Sequence, residues 1–200
     1  WGWGEVKRLS GWVPRRLAVY GKEGLLGAAQ VLLRPLPGGL RLAYAPRGPA
    51  LSRLEDLPLV AKALAQGVRG THLVLEPEAG LPAGEPPPTF PGLLLEESIQ
   101  PAYSLWLDLT HGEEALLKGM KEMHRRNARL ALKRTELGVE GEEAFPEFFH
   151  LFEETNRRAK LLQHAKEYYQ AVLREMNQPY GEAFLAVARK DGEALAAGLF

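Results

Sequence analysis

The chain contains no cysteine among its 200 residues. This absence excludes a disulfide framework, a zinc site built from thiolates and a cysteine nucleophile. The chain also lacks any apolar run that approaches the roughly 20 residues needed to span a bilayer as a helix. Its opening, Trp1-Gly2-Trp3-Gly4, has neither the basic start nor the apolar stretch of a signal peptide. These absences indicate a globular chain and are compatible with a reducing cytoplasm.

The formal net charge is zero, because 25 basic side chains balance 25 acidic ones. A general attraction of the whole surface to nucleic acid is therefore not expected. The distribution is nevertheless uneven, since seven basic residues and a single acidic one, Glu122, lie between Lys118 and Arg134. This window predicts a local site for anions.

Several sequence patterns typical of catalytic or metal-binding sites are absent. The five histidines do not form a close pair at metal-ligand spacing. The chain has no Gly-x-Ser-x-Gly elbow and no phosphate-binding glycine loop that ends in Lys-Ser or Lys-Thr. We therefore expect neither a metal ion nor a cofactor.

Hydrophobic periodicity predicts a mixed α/β (α+β) fold. The predicted strands cover residues 16–20, 25–33, 40–44, 71–75, 105–109, 183–188 and 194–200. The predicted helices cover residues 52–66, 113–134, 145–160 and 166–176, with Gly138 as the end of the basic one. A stretch from Pro77 to Pro101 holds seven prolines and is too long for an ordinary loop, which indicates a functional surface segment.

Three blocks carry a resemblance to a known family. The first is Tyr44-Ala45-Pro46-Arg47-Gly48-Pro49, which follows a predicted strand. The second combines Ile99-Gln100-Pro101 with Leu107-Asp108-Leu109 and the basic helix. The third is Thr155-Asn156-Arg157-Arg158, followed by Tyr168-Tyr169. In order and spacing these blocks resemble the Fem-type aminoacyltransferases, and Ser104 stands where that family usually has Thr.

The resemblance implies two domains of the GNAT (N-acetyltransferase-like) type. Residues 1–140 would form the first domain, and residues 141–200 would begin a second that continues in the family beyond the last strand. An isolated chain of residues 1–200 is accordingly expected to transfer no amino acid, and its 194–200 edge is expected to pair with a neighbour.

The implied activity is transfer of an amino acid, with glycine favoured, from aminoacyl-tRNA to the stem peptide of a peptidoglycan precursor. The precursor would be a UDP- or lipid-linked muramyl peptide, and the protein would work in the cytoplasm with peripheral contact at the inner membrane face. Two alternatives remain open. One is an acyl-CoA-dependent N-acyltransferase of the same fold, and the other is a non-catalytic module that binds RNA or membrane.

Two sets of candidate site residues follow. Contact with the precursor is expected for Lys7, Trp12, Tyr44, Arg47, Ser104, Thr155, Arg157, Arg158 and Tyr168. Contact with tRNA or another polyanion is expected for Lys118, Lys121, Arg125, Arg126, Arg129 and Lys133. Arg47 lies between two prolines that fix its direction, and its planar fork of donors suits diphosphate or carboxylate.

Each assignment has a structural alternative. Arg47 could form a surface ion pair, the basic helix face could be solvated, and Thr155 to Arg158 could belong to an exposed salt-bridge cluster. The tryptophan and tyrosines could be packing residues. Acyl transfer also needs a general base. Asp108 is the nearest carboxylate by type, and its alternative role is to cap the helix that follows.

Overall fold

The structure is a computed structural model that describes residues 2–78, 80, 84–101, 105–177 and 181–200. The chain divides into two compact units, Lys7–Leu105 and a second made of Trp1–Val6 with Trp106–Phe200. The fold domains predicted at 1–140 and 141–200 stay a prediction. Within the described residues, no helix is both long enough and apolar enough to cross a membrane.

The unit Lys7–Leu105 is built on a mixed sheet with strand order β1-β2-β3-β5, in which β4 also pairs with β2. Its elements are β1 Val13–Gly21, β2 Gly24–Pro35, β3 Arg41–Ala45, β4 Ala50–Leu51, α2 Leu57–Val68 and β5 His72–Leu75. Strands β1, β2 and β3 are antiparallel neighbours, whereas β3 and β5 run parallel, with Ala45 opposite Leu75. The carboxyl ends of β3 and β5 therefore lie side by side.

Helix α2 covers this sheet with a single apolar face. Leu57, Val60, Ala61, Leu64 and Val68 recur at helical spacing, and all five are buried. The predicted start at Ser52 is wrong. The Ser52 hydroxyl donates to the Leu25 carbonyl at 2.6 Å, and the helix begins five residues later, with Pro58 in its first turn, where proline is tolerated.

The second unit contains a three-stranded antiparallel sheet in the order β6-β7-β8. Its elements are α1 Gly2–Arg8 (the last two residues of which belong to the other unit), α3 Glu113–Gly119, α4 Glu122–Arg134, β6 Glu136–Glu140, α5 Phe145–Ala159, α6 Lys166–Met176, β7 Leu185–Lys190 and β8 Glu193–Leu199. Phe145, Phe148 and Phe149 of α5 pack with Leu185 and Val187 of β7. Helix α1 joins through Val6, which packs with Tyr168 and Ala171.

The predicted hairpin near the end of the chain is present. Asp191 and Gly192 form its turn with φ of 53° and 82°, the backbone region that Asp-Gly adopts readily between antiparallel strands. The predicted helices at 145–160 and 166–176 also form, within a residue of their expected ends.

Three other predictions fail around the basic segment. Leu105–Leu109 is irregular and not a strand, because apolar alternation does not by itself supply a pairing partner. The helix predicted over 113–134 is two helices, since Met120 and Lys121 are extended, with ψ of 151° and 143°. Gly119 favours the break, and the Arg125 guanidinium donates to the Lys118 carbonyl at 3.1 Å across it. Gly138 does not end a helix but lies within β6, opposite Val187.

Candidate functional site

The site is organised where the parallel strands β3 and β5 end. Tyr44 is the penultimate residue of β3, and Glu76 comes directly after β5. The Tyr44 hydroxyl donates to the Glu76 carboxylate, and the Gln100 amide donates to the Tyr44 oxygen at 3.0 Å. Three segments that are distant in sequence therefore meet at this sheet end.

The Glu76 carboxylate accepts several more hydrogen bonds from the segment that contains Gln100. Its Oε1 accepts from the backbone N–H of Ile99 at 2.6 Å, the backbone N–H of Gln100 at 3.0 Å and the Ser98 hydroxyl at 3.0 Å. With Tyr44 on Oε2, both carboxylate oxygens are engaged. Hydrogen bonds to an ionised acceptor are stronger than neutral ones, so Glu76 ties the segment 98–100 to the sheet.

This arrangement separates the pKa values of the two partners. The pKa of Tyr44 is raised to about 12, first by burial and next by the hydrogen bond to Glu76. Burial alone would raise the pKa of Glu76, but the hydrogen bonds from Tyr44, Ser98 and the backbone of 99–100 outweigh it, and the net pKa is lowered. At neutral pH the tyrosine is a protonated donor and the glutamate is an ionised acceptor.

The loop after β3 presents Arg47 at the edge of this cluster. The Glu76 backbone N–H donates to the Gly48 carbonyl at 2.8 Å, which holds the loop against the end of β5. Arg47 has φ of 53°, a region that residues with a side chain seldom occupy. Its Nη1 lies 3.2 Å from Glu78 Oε1, and 42% and 53% of the two side chains are exposed. An ion pair this exposed contributes roughly 0–1 kcal/mol.

Trp12 lies beside Tyr44. Their ring centroids are 6.4 Å apart at a tilt of 51°, and the Arg34 guanidinium carbon is 5.5 Å from the centre of the Trp12 ring. Lys7 is half-buried, and its carbonyl accepts from the Trp12 N–H at 3.2 Å. The structure thus brings Trp12, Tyr44 and Arg47 together with two residues that the sequence assignment did not include, Glu76 and Gln100.

A second group of predicted residues belongs to the other compact unit. Thr155, Arg157 and Arg158 are exposed on α5. Arg157 lines a surface depression of about 730 Å³ together with His150 and Lys160. In the same depression the buried Asn156 donates to Gln163 at 2.7 Å.

Tyr168 is only 9% exposed. Its ring stacks on His164 at 4.0 Å and meets the Trp3 ring edge-on at 6.3 Å. The geometry is that of a packing residue, and contact with a substrate stays a prediction for this whole group. Ser104 lies outside the described residues.

The basic segment from Lys118 to Arg134 has no buried residue. Helix α4 has no buried residue, and Arg125, Arg126, Arg129 and Lys133 line a groove of about 630 Å³ along it. Arg129 pairs with Glu114 of α3 at 3.2 Å, whereas Lys118 and Lys121 are exposed in and just after α3. A polar helix that buries no face gains little from packing, and a role of its basic side chains in binding stays a prediction.

The hydrogen bonds of Asp108 do not favour a role as general base. Its carboxylate accepts from the Thr110 hydroxyl at 2.6 Å and the Thr110 N–H at 2.9 Å, which lowers its pKa. It stabilises a turn ahead of α3, whose first residue is preceded by Gly112.

Among the described residues, no three His, Asp or Glu side chains gather in the manner of a metal site. A signal for Glu76 does exist in the sequence. It is a carboxylate directly after the apolar run Leu73–Leu75 and directly before Pro77, at the end of a strand that the periodicity identifies.

The model of the FemAB family matches residues 91–193, more than half of the chain. The chain therefore belongs to the FemAB family. The crystal structure of FemX aligns with a TM-score of 0.71 at 22% identity, over 95% of this chain and 52% of that one. This likeness confirms the predicted α+β, GNAT-like fold.

Two curated relatives are named lipid II:glycine glycyltransferase. The protein of Staphylococcus saprophyticus is 25% identical over 205 residues, and that of Staphylococcus aureus strain MRSA252 is 26% identical over 211 residues. Each alignment covers 94% of this chain and 49% of the relative. The chain spans about half the length of the curated relatives it matches.

Proposed function

We propose that this chain belongs to an aminoacyltransferase that adds an amino acid, glycine by preference, to the stem peptide of a lipid-linked muramyl precursor. Membership of the FemAB family and the names of the two relatives support this activity. The observation that carries it within the chain is the Tyr44–Pro49 loop, which is hydrogen-bonded to the end of β5 and presents Arg47.

The reaction is acyl transfer from aminoacyl-tRNA. The side-chain amine of the diamino acid in the stem peptide attacks the ester carbonyl, a C–N bond forms, the ester C–O bond breaks, and the proton lost by the amine balances the departing ribose oxygen. Holding the two substrates together accounts for much of the acceleration in a reaction of this kind. Arg47 binds the diphosphate or a carboxylate of the precursor through its planar fork of donors, and Trp12 and Tyr44 form the adjoining wall.

The basic segment from Lys118 to Lys133 is assigned to the phosphates of the tRNA. Its exposed cations gain affinity by releasing the counterions of a polyanion. Anionic headgroups of the inner membrane face are the competing target, since the acceptor is lipid-linked. A tRNA donor together with a lipid-linked acceptor favours a cytoplasmic protein in peripheral contact with the inner membrane face.

The Arg47→Ala variant tests this function by calorimetry with UDP-muramyl pentapeptide. A hydrogen bond to a charged group contributes about 1.5–3 kcal/mol, so we expect roughly ten- to hundred-fold weaker binding. The matched control is Arg69→Ala, which removes an exposed arginine with a similar φ of 50°. Equal affinities of the parent, Arg47→Ala and Arg69→Ala would contradict the role of the loop.

A thermal-shift series with UDP-muramyl pentapeptide, tRNA and acetyl-CoA separates the function classes. We expect stabilisation by the first two ligands and none by acetyl-CoA. Stabilisation by acetyl-CoA alone would favour an acyl-CoA-dependent enzyme of the same fold, and stabilisation by tRNA alone would favour a binding module.

A further inference from the structure

The last part of the proline-rich stretch, from Leu94 to Gln100, has little apolar support. Leu94, Leu95 and Ile99 expose 90%, 63% and 65% of their surface, so their burial contributes little to holding the chain there. Gln100 is half-buried and ends the segment just before Pro101. Polar contacts must therefore fix residues 98–100 in place.

Those polar contacts converge on one side chain. The backbone N–H groups of Ile99 and Gln100 and the hydroxyl of Ser98 all donate to Glu76 Oε1. The same carboxylate accepts from Tyr44, and Gln100 returns a hydrogen bond to Tyr44. Glu76 therefore holds both ends of the connection from Pro77 to Glu97: it precedes Pro77 in the chain, and its side chain accepts the hydrogen bonds from residues 98–100.

We infer that Glu76 is a positioning residue, which fixes Ser98–Gln100 and the Tyr44 hydroxyl beside the Arg47 loop and so preorganises the site for the muramyl precursor. The inference rests on the proposed function for its ligand, but the anchoring itself does not depend on any ligand. A preorganised site avoids the cost of ordering a loop when the ligand binds. Loss of the carboxylate therefore weakens binding although Glu76 itself touches no ligand.

The first measurement needs no ligand. In Glu76→Gln the amide keeps the shape, but it brings an N–H₂ group among the donors from 98–100 and carries no negative charge. We expect hydrogen–deuterium exchange at the Ile99 and Gln100 amides to become at least about tenfold faster. The control Glu97→Gln alters an exposed carboxylate of the same connection and leaves those two amides unchanged. Unchanged exchange in Glu76→Gln would overturn the inference.

The second measurement is affinity for UDP-muramyl pentapeptide. We expect about a tenfold loss in Glu76→Gln, which equals about 1.4 kcal/mol, and partial rescue in Glu76→Asp, where the charge returns on a shorter side chain. A purely structural role would lower the melting temperature of both variants without this rescue of affinity. Faster exchange combined with parental affinity in Glu76→Gln would overturn the positioning role.

The two measurements separate the inference from the proposed function. If the parent binds no precursor, but the Ile99 and Gln100 amides still exchange faster in Glu76→Gln than in the parent, the proposed function is contradicted and the anchoring of residues 98–100 by Glu76 is confirmed. A parent that binds the precursor while Glu76→Gln matches it in both measurements would contradict the anchor alone.

Discussion

At the residue scale, the hydrogen bond between Tyr44 and Glu76 favours a protonated tyrosine and an ionised glutamate. Tyr44 is 8% exposed, and its raised pKa keeps it protonated far above neutral pH. The lowered pKa of Glu76 keeps its carboxylate ionised at pH values below the ordinary pKa of a glutamate. A buried donor and a charged acceptor that satisfy each other avoid the penalty that either would incur alone. The cluster is therefore stable only as a complete set.

The Tyr44→Phe substitution tests this interdependence. It removes the donor to Glu76 and the acceptor for Gln100 while it keeps the aromatic ring. We expect a loss of about 1.5–3 kcal/mol in the free energy of unfolding, measured in urea, because the bond is to a charged group. Tyr20→Phe is the matched control, since Tyr20 is 71% exposed. Equal losses in the two variants would contradict the account of the cluster.

The lowered pKa of Glu76 predicts a pH dependence of stability. A carboxyl whose folded pKa is below its unfolded value contributes stability above the unfolded pKa, and this contribution disappears as the pH falls through the folded pKa. We expect the free energy of unfolding of the parent, measured in urea, to fall below about pH 4.5. In Glu76→Gln the part of this decrease that comes from Glu76 should be absent. Parallel acid profiles for the parent and Glu76→Gln would contradict the assignment, and Glu97→Gln should follow the parent.

The sequence predicted part of this cluster and missed the rest. Tyr44 and Arg47 stand in a continuous motif, so their proximity follows from the chain itself. Glu76 and Gln100 are 32 and 56 residues from Tyr44, and their contact depends on the parallel pairing of β3 with β5, which no local pattern specifies.

At the element scale, short-range signals gave correct elements where the element buries a face. Helices α5 and α6 bury aromatic and aliphatic side chains at helical spacing, and both were predicted within a residue of their ends. The strand expected at 105–109 and the unbroken helix at 113–134 are wrong, because both lie where the chain buries little: Leu117 is the only buried residue of α3, and α4 has none. Strand β6 was missed because its central glycine weakens the local pattern, and its pairing with β7 is non-local.

The packing of α5 can be tested at Phe148. Its ring is 5% exposed and lies 5.8 Å from the Phe145 ring and 5.6 Å from the Phe152 ring. We expect Phe148→Ala to lower the free energy of unfolding by about 3–5 kcal/mol, because it leaves a cavity in the core. Leu162→Ala, at a fully exposed leucine, should change it by no more than about 0.5 kcal/mol. A small effect of Phe148→Ala would mean that this core is not as described.

The basic segment makes a prediction about salt. Reversing the charge of Lys121, Arg125 and Arg129 to glutamate should weaken tRNA binding and flatten the dependence of log Kd on log salt concentration, because fewer counterions are released. The control reverses three exposed cations outside the segment, Arg15, Lys62 and Arg69, with the same change in net charge. Equal salt slopes for the two triple variants would show that the segment is only solvated. Binding to anionic vesicles in place of tRNA would assign it to the membrane.

At the scale of the whole molecule, the chain has two compact units, and each carries some of the predicted site residues. Trp12, Tyr44 and Arg47 lie in one unit, and Thr155, Arg157 and Arg158 lie in the other. The family match from 91 to 193 begins in the first unit and ends in the second. The proposed transfer reaction therefore concerns the complete protein, because the relatives it is drawn from are about twice as long as this chain.

The most direct measurement of the central claim is a transfer assay with the complete protein, glycyl-tRNA and lipid II. The account predicts that mass spectrometry will find glycine in amide linkage on the side-chain amine of the stem peptide. It also predicts that acetyl-CoA will not serve as donor, and that Arg47→Ala will transfer roughly ten- to hundred-fold more slowly when the precursor is below saturation. Transfer from acetyl-CoA but not from glycyl-tRNA, or no product on lipid II from an otherwise folded protein, would contradict it.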